Sequence, residues 1–69
     1  MFFKKKKCYR IMVCSANSDA IIWQEDYYGR FETFRRYKEL QPDEFIYIKL
    51  LKVFEDDTTK LIRRNPVFN

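Results

Sequence analysis

Apolar residues are densest between Phe45 and Phe54, and this segment is predicted to be a long central β-strand. It is rich in β-branched and aromatic residues, which favour the pleated surface of a sheet, and an acidic turn follows it. Both alternating sets of positions along it are apolar, and each contains one lysine, Lys49 or Lys52. Such a strand is expected to be covered on both faces. A helix over residues 44–54 is the alternative, but the β-branched and aromatic bias disfavours it.

Three further strands are predicted from shorter apolar runs that polar turns separate. The first covers residues 8–15, and the second covers residues 20–25 after a turn at residues 16–19, where Asn and Asp can hydrogen-bond their own backbone. The last covers residues 59–64, after a turn at residues 55–58. It ends at Asn65-Pro66 because proline cannot donate to the ladder. The four strands therefore form two hairpins.

Between the hairpins the apolar residues change to steps of three and four, as on an amphipathic helix. We predict a helix over residues 31–40, since Gly29 weakens an earlier start and Pro42 forbids helical geometry at the residue before it. Its apolar face is expected to contain Tyr27, Phe31, Phe34, Tyr37 or Lys38, and Leu40.

The order of elements predicts an α+β fold: a single ββαββ domain in which a four-stranded antiparallel sheet has one helix packed on one face. Its 69 residues, 46% of them hydrophobic, can build one core without disulfides or metal. Residues 1–7 are expected to form a basic N-terminal arm, and residues 65–69 a C-terminal tail.

One helix can bury only one face of a sheet, so the other face is expected to be an interaction surface. A bulge at Leu50-Leu51 would turn Leu51 and Val53 towards the helix. The outer face would then present Phe45, Tyr47, Lys49, Lys52 and Phe54. The alternative is that Phe2-Phe3 or Val67-Phe68 folds back over this face.

The sequence offers little for catalysis or metal binding. It has no histidine and one glycine, which excludes a histidine base and a glycine-rich phosphate loop. Cys8 and Cys14 are six residues apart on one predicted strand, about 20 Å, which is too far for a disulfide, so free thiols are expected. The acidic residues 55–57 are expected to form a turn. We therefore predict no enzyme activity, no cofactor and no metal.

The net charge of +4 permits an anionic partner without requiring one. Residues 4–7 are all lysine, but no apolar stretch of signal-peptide length follows them, and no apolar run is long enough to span a membrane. A cytoplasmic protein without a membrane partner is expected.

Two functions are consistent with this pattern. The first is a non-enzymatic regulatory module that forms a homodimer or docks on a protein partner through its sheet face and an exposed edge strand, with aromatic residues as anchors. Its candidate contacts are Trp23, Phe45, Tyr47 and Phe54. The second is binding of single-stranded nucleic acid. Its candidate contacts are Lys4, Lys5, Lys6, Lys7, Lys49, Lys52, Arg63 and Arg64. In size, element order and lysine-rich start the chain resembles small accessory proteins of phages and other mobile elements, which implies a regulatory or inhibitory protein binder.

Overall fold

The computed structural model describes residues 5–67. The long apolar segment is a strand, as its composition predicts, and the elements follow the predicted ββαββ order. They are β1 (Lys6–Ser15), β2 (Ile21–Tyr27), α1 (Arg30–Glu39), β3 (Ile46–Phe54) and β4 (Thr59–Asn65). Lys6 and Lys7 therefore lie in β1 and Asn65 lies in β4, whereas the sequence assigned these residues to an arm and a tail.

The four strands form one antiparallel sheet in the order β2-β1-β3-β4. Each hairpin places its strands side by side, and β1 pairs with β3 to join the hairpins in the middle. This confirms the predicted fold class of a small single domain. It also leaves β2 and β4 as edge strands, each paired on one side only within residues 5–67.

The core beneath the helix is formed by the two central strands. Ile11 and Val13 of β1 lie opposite Leu50 and Ile48 of β3, and all four side chains are fully buried. Tyr37 of α1 closes this cluster from above. Partly buried residues surround it, namely Tyr9, Tyr27, Phe34, Leu40 and Ile46.

The opposite face of the two central strands is also apolar. Cys8 lies opposite Val53, and Cys14 lies opposite Tyr47, in pairs that alternate with those beneath the helix. These four side chains and Leu51 are buried. The prediction that the central strand is apolar on both faces is confirmed, and both cysteines are free thiols.

The predicted bulge in β3 is wrong. β3 keeps its register with β1 from Ile46 to Val53, so Leu51 and Val53 lie on the face away from the helix. Lys52 lies opposite Tyr9, on the helix face. The irregularity is in the pairing with β4, where Leu50 lies opposite Arg63 and Leu51 opposite Leu61, so the additional residue is Ile62. An edge strand absorbs the additional residue more easily because it has one neighbour to satisfy.

The predicted apolar face of the helix is confirmed at Phe34, Tyr37 and Leu40 and is wrong at Phe31, which is 90% exposed. Thr33, which the prediction omitted, is fully buried. The hydroxyl of Thr33 donates to the carbonyl oxygen of Gly29, the N-cap residue, which satisfies a buried polar group in the first turn. Leu40 caps the C-terminal end of the helix, because its backbone N–H donates to the carbonyl oxygen of Arg36.

No helix within residues 5–67 has the length and apolar character needed to cross a membrane.

Candidate functional site

The outer edge of β2 combines apolar side chains with a backbone that, within residues 5–67, is paired on one side only. Ile21, Ile22 and Trp23 are consecutive and remain 53%, 51% and 42% exposed. In β1, Cys14 lies opposite Ile21, and the preceding residue Val13 lies opposite Trp23. Ile22 has no residue opposite it in β1 and is therefore the additional residue of a bulge. The ladder is regular from Trp23 to Tyr27. We name Ile21–Tyr27 the β2 edge.

An arginine from the helix neutralises the first acidic residue of the β2 edge. The Nε and terminal nitrogen of Arg36 donate to the two carboxylate oxygens of Glu25 at 2.8 and 3.0 Å. The hydroxyl of Tyr27 and the indole N–H of Trp23 donate to the same carboxylate. These hydrogen bonds lower the pKa of Glu25 to about 2. The hydrogen bond from Arg36 contributes most to this shift, and the one from Tyr27 contributes next. Glu25 is therefore ionised and fully engaged at neutral pH.

The second acidic residue of the β2 edge is neutralised from the neighbouring strand. Arg10 of β1 donates to the two carboxylate oxygens of Asp26, its cross-strand neighbour, at 2.8 and 3.1 Å. The hydrogen bond from Arg10 lowers the pKa of Asp26 below its ordinary value. Both carboxylates of the β2 edge are thus held bidentately by groups of the same chain, and the edge has no other charged side chain.

The opposite edge of the sheet is basic. β4 contains Lys60, Arg63 and Arg64 and no acidic residue, and Pro66 follows it. Its bulge lies at Ile62. Both edge strands carry a bulge, but net positive charge and a following proline are found only at β4, and these features deter pairing with other chains. The two edges of the sheet therefore differ in charge and in the proline.

A cleft lies between α1 and the β3–β4 half of the sheet, and it combines aromatic rings with cations. Its cavity of about 580 Å³ is lined by three aromatic residues and three basic ones, with Leu61 and Ile62. The aromatic residues are Tyr9, Phe34 and Phe54, and the basic ones are Arg30, Lys52 and Lys60. We name this the basic cleft. A second cavity, of about 710 Å³, adjoins it through Leu61 and Ile62 and extends beside Tyr37 and Arg63.

The aromatic residues predicted to form one interaction surface do not come together. Trp23 lies on the β2 edge, and Phe45 is exposed in the loop before β3. Tyr47 is only 5% exposed, with its hydroxyl donating to Asp19 at 2.8 Å and Arg64 stacked 4.2 Å from its ring centroid. Phe54 lines the basic cleft. Tyr47 is therefore a core residue, and the predicted surface of four aromatics is wrong as a single patch.

The residues predicted to contact an anion are also dispersed. Lys4 lies outside the described residues, and Lys7 forms an ion pair with Asp57 at 3.2 Å. The ammonium of Lys6 lies 4.4 Å from the ring centroid of Tyr9. Lys49 and Arg64 are cross-strand neighbours on the face away from the helix. The remaining three are Lys5 just before β1, Lys52 in the basic cleft, and Arg63 beside that cleft.

The sequence alone did not identify Arg30, Phe34 or Lys60 as members of one site. They come from a helix and an edge strand that are distant in the chain, and only the sheet order brings them together. The positive charge of β4, together with the absence of acidic residues from it, was the available signal. Within residues 5–67, no group of acidic residues and cysteines is arranged to hold a metal ion.

The chain matches no protein-family model, no curated protein and no solved structure with which it was compared. The candidate functions therefore rest on the β2 edge and the basic cleft.

Proposed function

We propose that the protein is a small non-enzymatic interaction module that forms a homodimer by antiparallel pairing of two β2 edges. The observation that supports this is the exposure of Ile21, Ile22 and Trp23 on an edge strand whose outer side is unpaired in the described part of the chain. Pairing with a second strand would satisfy the outward backbone groups and bury the three apolar side chains. The product is a continuous sheet of eight strands.

The charges of the β2 edge favour a second copy as the partner. Two like charges would repel each other across a two-fold axis, but Glu25 and Asp26 are each neutralised by an arginine of their own chain. Their ion pairs also hold β2 in an extended conformation before association. This lowers the entropic cost of ordering the strand when the dimer forms. The contact is isologous and closes at two copies.

The contrast with β4 explains why pairing is expected at one edge only. Lys60, Arg63 and Arg64 would face their own counterparts in a β4–β4 pair, and Pro66 limits its length. A β2–β4 pair would be a head-to-tail contact, which continues into filaments unless it closes. The basic side chains of β4 would also find no unneutralised acid on the β2 edge.

Sedimentation velocity tests the proposal, with Ile22→Lys as the disrupting variant. At about 10 µM the wild type is expected to sediment as a dimer of twice 8.6 kDa, and Ile22→Lys as a monomer. Ile62→Lys is the matched control, because Ile62 is also a partly exposed isoleucine at the bulge of an edge strand. This control is expected to remain dimeric.

Trp23 supplies a second measurement because it is the only tryptophan and lies on the β2 edge. Its emission is expected to shift to shorter wavelength as protein concentration rises through the dimerisation range. A wild type that sediments as a monomer, or an Ile62→Lys variant that dissociates as readily as Ile22→Lys, would refute pairing through the β2 edge.

A further inference from the structure

We propose that the basic cleft binds single-stranded nucleic acid, with bases stacked on its aromatic rings and phosphates held by its cations. This inference is independent of the homodimer. The helix contacts the β1–β2 half of the sheet, and the cleft lies over the β3–β4 half. A dimer paired through β2 would therefore leave both clefts open at the far edges of the joined sheet.

The first argument is charge. Arg30, Lys52 and Lys60 line the cavity, and its described lining residues include no aspartate or glutamate. Arg63 lies beside it, with its guanidinium 5.5 Å from the ring centroid of Phe34. A concave site with one sign of charge attracts polyanions and concentrates them at its surface.

The second argument is the register of the two strands beneath the cavity. Lys52 of β3 and Lys60 of β4 are direct cross-strand neighbours. Like charges in this position destabilise a sheet. A bound phosphate between Lys52 and Lys60 would remove this repulsion, so the pair is unfavourable for an empty cleft and favourable for an occupied one.

The third argument is the pairing of rings with cations. The ammonium of Lys52 lies 5.6 Å from the ring centroid of Phe54, and Lys6 and Arg63 are similarly close to Tyr9 and Phe34. Each of the three rings in the cleft therefore has a cation over it. A nucleotide uses both kinds of group, because its base stacks on a ring while its phosphate contacts a cation.

The cavity volume of about 580 Å³ lies within the range of about 300–1,000 Å³ for small-ligand sites. The adjoining cavity beside Tyr37 and Arg63 would allow the strand to continue along β4. The rings and cations contact groups that every nucleotide has, so we expect affinity without strong sequence preference.

Fluorescence anisotropy with a labelled oligothymidylate, a short single strand, tests this inference. Three phosphate contacts predict that the logarithm of the binding constant falls with the logarithm of salt concentration with a slope of about −2. Affinity should thus fall about 20-fold between about 50 and 200 mM salt. Phe34→Leu, which keeps an apolar side chain but removes the stacking ring, is expected to weaken binding about tenfold.

Lys60→Gln separates binding from folding. It removes one phosphate contact, so it should weaken binding several-fold and make the salt slope shallower by about 0.7. It also removes the repulsion with Lys52, so its thermal unfolding midpoint should equal or exceed that of the wild type. Lys38→Gln is the matched control, because Lys38 is an exposed lysine of α1 outside both cavities. This control should bind almost as the wild type does.

Three results would overturn the inference. The first is the absence of binding to the single strand at low salt. The second is an equal loss of affinity in Lys60→Gln and Lys38→Gln, which would indicate diffuse attraction by net charge. The third is equal affinity for a DNA duplex or for a labelled polyglutamate peptide, because neither offers unpaired bases to stack. None of these outcomes bears on the homodimer, which sedimentation measures separately.

Discussion

The carboxylate of Glu25 is the best-connected polar group of the β2 edge, and neutralising it should destabilise the fold. It accepts hydrogen bonds from Arg36, Tyr27 and Trp23 and thereby joins the helix to β2. Glu25→Gln keeps the shape of the side chain but removes its charge. The variant isolates the ionic part of this network.

The expected magnitude follows from the pKa of Glu25. The difference between its ordinary value of 4.5 and about 2 in the folded protein corresponds to about 3 kcal/mol. The side chains of Glu25 and Arg36 remain 22% and 35% exposed, so solvent screening reduces this figure. We expect Glu25→Gln to lower the free energy of unfolding by about 1–2 kcal/mol at pH 7.

The direction of the pH dependence follows from the lowered pKa. A carboxylate with a lowered pKa stabilises the folded state fully above its unfolded pKa of 4.5, and this contribution is lost as the pH falls through about 2. The difference between wild type and Glu25→Gln should therefore be largest near pH 7 and fall to less than half by about pH 3. Urea titrations followed by circular dichroism measure it at each pH.

Glu44→Gln, at an exposed glutamate in the loop before β3, is the matched control and should change stability by less than about 0.5 kcal/mol. Equal effects of Glu25→Gln and Glu44→Gln at pH 7 would refute the assigned role of the network. So would a difference between wild type and Glu25→Gln that stays constant from pH 7 to about pH 3.

Four further substitutions test the core and the helix. Ile48→Ala, at a fully buried residue of β3, should lower the free energy of unfolding by about 2–5 kcal/mol in urea titrations, and a smaller loss would mean that the site collapses or is less buried. Tyr47→Phe removes the hydrogen bond to Asp19 and should cost about 1 kcal/mol in thermal unfolding at pH 7, whereas an unchanged midpoint would place the hydroxyl in water. The same hydrogen bond raises the pKa of Tyr47 to about 12, so ultraviolet titration of Tyr47→Phe should lack the tyrosine that ionises last. Phe31→Ala should change stability by less than about 0.5 kcal/mol, while Phe34→Ala should cost several times more, and similar values in urea titrations would contradict the observed helix orientation.

The element order and the two-sided central strand could be predicted because they depend on local patterns. The β-branched and aromatic residues of β3 and the proline after α1 determine the local conformation with little help from distant residues. The predicted strand boundaries agree with the observed ones to within two residues. The free cysteines followed from their spacing on one strand.

The orientation of side chains could not be predicted, because it depends on neighbours that are distant in the chain. Phe31 fits a spacing of three with Phe34, yet it lies about 120° around the helix axis from the buried Tyr37. The bulge is in β4 at Ile62, since an additional residue is tolerated better at the edge than in β3. The basic cleft depends on the sheet order, which no local pattern contains.

The position of β1 at the centre of the sheet has a consequence for the order of folding. Ribosomes synthesise β1 before β3, yet β1 needs β3 as its second neighbour, and their paired residues are about 30 to 50 positions apart. A hairpin of β1 and β2 alone has only marginal stability in water. During translation, the exposed apolar strand must therefore wait until β3 has left the exit tunnel, and this interval is when nascent chains are most exposed to aggregation and to chaperones.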